Sequence, residues 1–213
     1  MRSYAAALGR APSGGHDEID LYVYNMALAG ALLGPLHIVE VVTRNAMHEL
    51  LVARAGRRDW WAEPSVDAVL RGWGKQQLEH AHGKVLRGQA RRGRSPTADD
   101  VVAATDFGFW TDLTAGAYEN TLWQGALRHA FPHSRRSRQQ IYQALQSHRR
   151  LRNRVSHHEP LHDRDVLEEY RRIIEFIGFV SRPVARWVDD RSRVALIARG
   201  KPGASGASPV RYF

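Results

Sequence analysis

LYVYNMALAGALLGPLHIVEVVTRNAMHELL, residues Leu21 to Leu51, decides the fold class. Around its start, Ile19, Tyr22, Val23, Met26, Ala29 and Leu33 recur at helical steps, after an Asp17 able to cap the first turn. This spacing predicts a first long helix with that face toward the core. Gly34-Pro35 then interrupts the run. Proline is tolerated in a helix's first turn, so a second helix is expected to open at Pro35 and stop near Gly56, with Trp60-Trp61 beyond it as a lid on the core. Cut by Gly34-Pro35 and continuing into Glu40 and Arg44, the segment reads as two core helices rather than a membrane span or signal peptide.

Strand signals are nearly absent in the rest of the chain. A weaker helical stretch spans about Ser65 to Leu86, with Gly72 and Gly74 against its regularity. RGQARRGRSP breaks the pattern and reads as an exposed basic loop carrying Arg87, Arg91, Arg92 and Arg94. Thr97 with Asp100 resembles a helix start. After the apolar element FGFW, a helix with Leu113, Ala117, Leu122, Ala126 and Leu127 should reach Phe131-Pro132. Ser134 is expected to open a helix that Pro160 ends, and one last helix to run from about Asp163 to Trp187. From residue 190 the chain is Gly/Ser/Pro-rich, which predicts a flexible tail over 190–213 after a single all-α domain over 1–189.

The 213 residues suffice for one buried core. Basic residues outnumber acidic ones 31 to 22, for a formal charge of +9, and nearly all are arginine, since Lys75, Lys84 and Lys201 are the only lysines. Such a balance suits a polyanionic partner, although a GC-rich genome also enriches arginine. The lack of cysteine excludes disulfides, thiolate metal sites and cysteine nucleophiles, and fits a cytoplasmic location.

Two enzyme signatures overlap in RLRNRVSHHEPLH, residues Arg150 to His162. His158, Glu159 and His162 spell H-E-x-x-H, which holds zinc when both histidines share a helix face. Pro160 works against that, because the residue before a proline is pushed out of helical geometry. The other signature is R-N-x-x-x-H, from Arg152, Asn153 and His157. RNA cleavage through its own 2′-hydroxyl needs proton transfer at two oxygens and positive charge at the phosphate, and neither demands a metal. On a helix Asn153 and His157 are one turn apart, so the amide can orient the imidazole or a phosphate. The same residues can equally be a solvated basic helix end with histidine caps.

A polar stripe of His37, Glu40, Arg44 and His48 runs along the second expected helix. It can be a plain surface face. It can also meet the Arg152 region across a bundle, with a Glu40–Arg44 pair fixing a phosphate-binding group.

With these residues in view, the chain resembles the Abi-like (abortive infection) proteins of bacteria, a branch of the HEPN superfamily. LYVYNMALAGALLGPLHIVEVVTRNAMHELL looks like that family's amino-terminal helices, TDFGFWTDL like its central G-F-W element and RLRNRVSHHEPL like its signature segment. The resemblance runs from about Asp17 to Trp187. It implies a HEPN-like helical bundle and a metal-independent endoribonuclease of phage defence or toxin-like arrest, with Arg152, Asn153 and His157 catalytic. His158 and Glu159 belong to the longer signature, and Glu40, Arg44 and His48 are possible support. It implies a homodimer lining one cleft with two motifs, no cofactor, no metal, an RNA substrate and a possible neutralising antitoxin-like partner. Arg91, Arg92 and Arg94 are expected to bind the RNA backbone. The rival expectations are a non-catalytic RNA- or nucleotide-binding HEPN module, and a helical interaction protein whose motif only caps a helix.

Overall fold

The structure, a computed structural model, describes residues 16–91 and 93–202, so the candidate Arg92 lies outside the described residues. The fold is all-α, with no strand among the described residues. Its longer helices are α1 (His16–Ala55), α2 (Gly72–Ala90), α3 (Ala98–Ala104), α4 (Phe107–Asp112), α5 (Arg138–Ser156), α6 (Val166–Val180), α7 (Arg182–Arg191) and α8 (Val194–Arg199).

The first two expected helices are one. Pro35 lies inside α1. An interior proline costs about 3 kcal/mol through a lost hydrogen bond and a ring clash. Around it, Leu28, Leu32, Leu36 and Val39 are fully buried, and each such side chain contributes roughly 1.5–3 kcal/mol, which offsets the proline. The inward face also differs from the expected one. Leu21, Tyr24, Leu28, Leu32, Leu36, Val39, Met47 and Leu51 form the buried stripe, whereas Ile19, Tyr22 and Met26 are more than 40% exposed. Both faces are apolar here, so periodicity alone does not rank them. The doubled apolarity also makes Glu18–Ala55 long and apolar enough to cross a membrane by length and composition, a test that core helices pass as well.

The described residues group into two compact units: those up to Val39 with those from Arg150 onward, and Glu40–Arg149. The division falls within α1 and α5.

In the first unit the expected last helix is two. Ser181 is extended, its Oγ accepts from the Val184 N–H, and a proline follows in the first turn, so α6 ends and α7 begins there. Ile173, Phe176 and Ile177 of α6 are buried, as are Ala185 and Val188 of α7. Tyr170 donates to Asp189 Oδ1 at 2.9 Å, joining α6 to α7, and burial pushes its hydroxyl pKa up to about 12. The tail expected from residue 190 instead continues through α7 and α8 to the last described residues. Val194 and Ile197 are buried, and Tyr24 donates to the Ala198 carbonyl at 3.2 Å. An apolar spacing of three beyond Ser192 therefore outweighs the Gly/Ser/Pro bias that follows it.

The second unit is organised around aromatic rings. Trp60, Phe109 and Trp110 are fully buried, with Trp60 stacked on Phe109 at 6.3 Å and Phe109 edge-on to Trp110 at 5.1 Å. The indole nitrogens are satisfied: Trp110 donates to Thr105 Oγ1 at 2.8 Å and Trp60 to His48 Nδ1 at 3.1 Å. FGFW is thus core. Thr97 and Asp100 form the expected capping box of α3. The long helix expected before Phe131 is replaced by single turns at Gly116–Tyr118, Glu119–Trp123 and Leu127–Ala130. Helix α2 starts later than expected and persists to Ala90, so Arg87 is helical, not part of a loop.

Candidate functional site

Helix α5 stops at Ser156, a turn before the proline that was expected to end it. The His157 N–H still donates to the Asn153 carbonyl at 2.9 Å, so Asn153 and His157 remain one turn apart. The next residue, His158, has φ 56°, the one positive-φ non-glycine among the described residues. Its N–H donates to Val155 O at 3.3 Å, and that of Glu159 to Arg154 O at 3.0 Å. Together these bonds make the reversal that usually ends a helix on glycine.

Four contacts pin the segment that follows. Arg154 donates to the Pro160 carbonyl at 3.0 Å and pairs with Glu159 at 3.5 Å. The Leu161 N–H donates to the buried Asn25 Oδ1 at 2.6 Å. Lys201 Nζ donates to the His162 carbonyl at 2.7 Å. The H-E-x-x-H residues therefore share no helix face: His158 is left-handed and exposed, Glu159 turns to Arg154, and His162 is buried. This differs from the shared helix face on which H-E-x-x-H holds zinc.

The other signature keeps its spacing on a regular helix end. Asn153 and His157 are exposed and Arg152 is half-buried, with its Nη1 donating to Asn153 Oδ1 at 3.4 Å. The Asn153 amide, expected to orient the imidazole or a phosphate, here accepts from the arginine instead. A histidine able to exchange protons and a guanidinium held by a neighbour thus stand on one accessible helix end. Holding a non-glycine left-handed costs about 1 kcal/mol, so His158→Gly is expected to raise stability by about that amount. A urea melt reads it directly, and a lower midpoint would show that the His158 side chain makes a contact the fold needs.

Glu40, Arg44 and His48 belong to the other unit, Glu40–Arg149, not to the one that holds the motif. Arg44 Nε donates to the adjacent Asn45 Oδ1 at 3.4 Å. His48 is buried with both ring nitrogens engaged, Nδ1 by Trp60 and Nε2 by Asp99 Oδ1 at 3.4 Å, while Arg58 lies 3.3 Å from the same Nε2. Accepting from the indole makes His48 the Nε2–H tautomer, a structural tie between α1 and the aromatic core.

Burial holds the His48 pKa below its ordinary 6.5, against the pull of Glu49 and Asp99. His162 is lowered too, by burial first and then by Lys201. A histidine depressed in the folded state takes up its proton more readily when unfolded. Its contribution is thus complete above about pH 6.5 and is lost as pH falls through the folded value. The melting temperature should therefore drop between about pH 7 and about pH 5, with a shallower slope in a His48→Gln, His162→Gln variant. An unchanged slope in that variant would assign the acid sensitivity to other groups.

One charged cluster went unread in the sequence. The Arg149 guanidinium lies over Gly108 so closely that a Cβ there would sit 2.8 Å from its Cζ. Asp106 Oδ1 caps Phe109 beside it, and Asp112 is half-buried, its carboxyl pushed up by burial and drawn back by Arg149. The missed signal is the glycine between two aromatics, the only residue leaving room for a guanidinium over α4. Arg91 and Arg94 are exposed after α2, where Gly93 at φ 63° turns the chain.

Protein-family models, curated proteins and solved structures contain no match to this chain.

Proposed function

We propose that the protein is a metal-independent endoribonuclease of bacterial antiviral defence, of the HEPN type, working in the cytoplasm. The observation that carries the reading is the helix end at Arg152, Asn153 and His157, where an arginine held by an amide and a titratable histidine share one accessible turn. In the reaction the RNA 2′-oxygen attacks the adjacent phosphorus, the 5′-oxygen leaves, and the products are a 2′,3′-cyclic phosphate and a 5′-hydroxyl. His157 takes or gives the proton, Arg152 holds the phosphate oxygens as their charge grows, and Asn153 positions Arg152. One histidine cannot be both acid and base in a single step, so the reading includes a homodimer whose second copy supplies the other. His158 shapes the turn and Glu159 steadies Arg154. Arg91, Arg92 and Arg94 add salt-dependent affinity for the RNA backbone. An antitoxin-like partner would neutralise such an activity by covering the helix end.

The favourable net charge of +9 supports RNA binding with or without cleavage. The test therefore separates the two. His157→Ala should keep RNA affinity and lose cutting, whereas binding by both proteins with cutting by neither would establish the non-catalytic module.

A further inference from the structure

Helices α7 and α8 both pack on α6. Ala185 and Val188 of the one and Val194 and Ile197 of the other are buried, so their far sides face water. Those sides carry Trp187 and Leu196, which at 54% and 59% have the highest exposures of the large apolar side chains among the described residues. A single exposed apolar side chain is ordinary. Two this bare on consecutive short helices point to a contact surface.

The polar groups around them are mostly cationic. Arg182, Arg186 and Arg191 are exposed on α7, Arg193 stands just before α8 and Arg199 ends it. Two carboxylates share the stretch, Asp190 and Asp189, the second accepting from Tyr170. Five arginines against two aspartates leave a positive surplus. Among the described residues no carboxylate pairs with Arg182, Arg186, Arg193 or Arg199. Arg191 instead lies over the Trp187 ring, its Cζ 4.9 Å from the centroid, and its Nη1 donates to the Trp187 carbonyl at 3.4 Å.

We propose that the exposed sides of α7 and α8 dock on an anionic lipid surface, with Trp187 and Leu196 entering the boundary between headgroups and acyl chains and the arginines on the lipid phosphates. Such a surface uses every group present: the indole sits at headgroup level, the leucine in the acyl boundary, and arginine stems lie along apolar surface while their heads meet phosphate. A second copy fits less well, because a twofold contact joins a patch to itself and would set these arginines against their own counterparts. RNA would engage the arginines, but a guanidinium already covers one face of Trp187, and Leu196 gives a base no ring to stack on. The contact is peripheral, since the 10 residues of α7 are too few to cross a bilayer. It shares no residue with the Arg152–His157 helix end, so it stands or falls apart from the cleavage reading.

Co-sedimentation of the full chain with phosphatidylcholine vesicles, with and without phosphatidylglycerol, tests it. The chain should sediment with the phosphatidylglycerol vesicles and far less with phosphatidylcholine alone, and added salt should release it. Arg186→Ala with Arg193→Ala should weaken binding by roughly fivefold for each arginine removed. Trp187→Ala with Leu196→Ala should weaken it by roughly tenfold or more. All four side chains are exposed, so both variants are expected to fold, and where a melting curve shows that one does not, the other decides. His157→Ala should bind vesicles like the wild type. No binding to phosphatidylglycerol vesicles, equal binding to both kinds, or binding that a folded variant leaves unchanged would overturn the proposal. Two further results without vesicle binding would overturn it by naming another occupant. A dimer split by the Trp187, Leu196 variant would make the surface a contact between copies, and an RNA oligonucleotide released by the Arg186, Arg193 variant would make it an RNA path.

Discussion

His157→Ala is expected to cut RNA roughly 10²–10⁴-fold more slowly than the wild type, the range contributed by one positioned acid or base. The loss should fall on kcat, because the imidazole acts only as the proton moves, and KM should stay close to its original value. Arg152→Ala should lose roughly 10²–10³-fold through unanswered phosphate charge. Arg152→Lys should recover only part of this, since an ammonium lacks the planar fork that Asn153 holds in place. The same assay bears on His162. Because His162 is buried and is not one of the Arg152, Asn153 and His157 set, His162→Ala should leave cutting intact while lowering stability. Single-turnover rates for the four variants check the set. Equal rates in wild type and His157→Ala would place the chemistry elsewhere.

The largest expected effect on folding lies at Trp60. Trp60→Ala removes a fully buried ring that stacks on Phe109 and holds His48, and such truncations cost about 3–5 kcal/mol. Against the roughly 5–15 kcal/mol that keeps a domain folded, this is a large fraction. Trp60→Phe separates the two roles, since it keeps most of the ring contact but orphans the buried His48 nitrogen, for about 1–3 kcal/mol. Denaturant melts give the totals, and amide exchange along α4 shows where protection is lost. A Trp60→Ala loss under about 1 kcal/mol would mean that the aromatic cluster is not the centre of that unit.

Local chemistry was readable in the chain, and long-range balance was not. The Thr97–Asp100 box is local: two side chains three residues apart satisfy each other's backbone donors, so the sequence spacing alone predicts it. Pro35 predicts a break on the same local grounds and is overruled by side chains buried on both sides of it. His48 looked like part of a surface stripe because nothing nearby in sequence shows that an indole N–H twelve residues on needs an acceptor. At the candidate site the spacing of Asn153 and His157 was legible from helix geometry. The early stop at Ser156 was not, because a left-handed C-terminal residue is signalled by glycine or asparagine, and here the position is a histidine.

The chemistry of the cut end tests the central claim most directly. Wild-type protein is incubated with RNA in excess EDTA, and the new termini are analysed. If Arg152, Asn153 and His157 are the working set, cutting persists in the chelator, leaves 2′,3′-cyclic phosphate and 5′-hydroxyl ends, and stops when the 2′-hydroxyl at the cut is replaced by hydrogen. Cutting that the chelator abolishes, or that leaves a 3′-hydroxyl and a 5′-phosphate, would contradict the account, because water on a metal and not the RNA's own 2′-oxygen would then be the nucleophile.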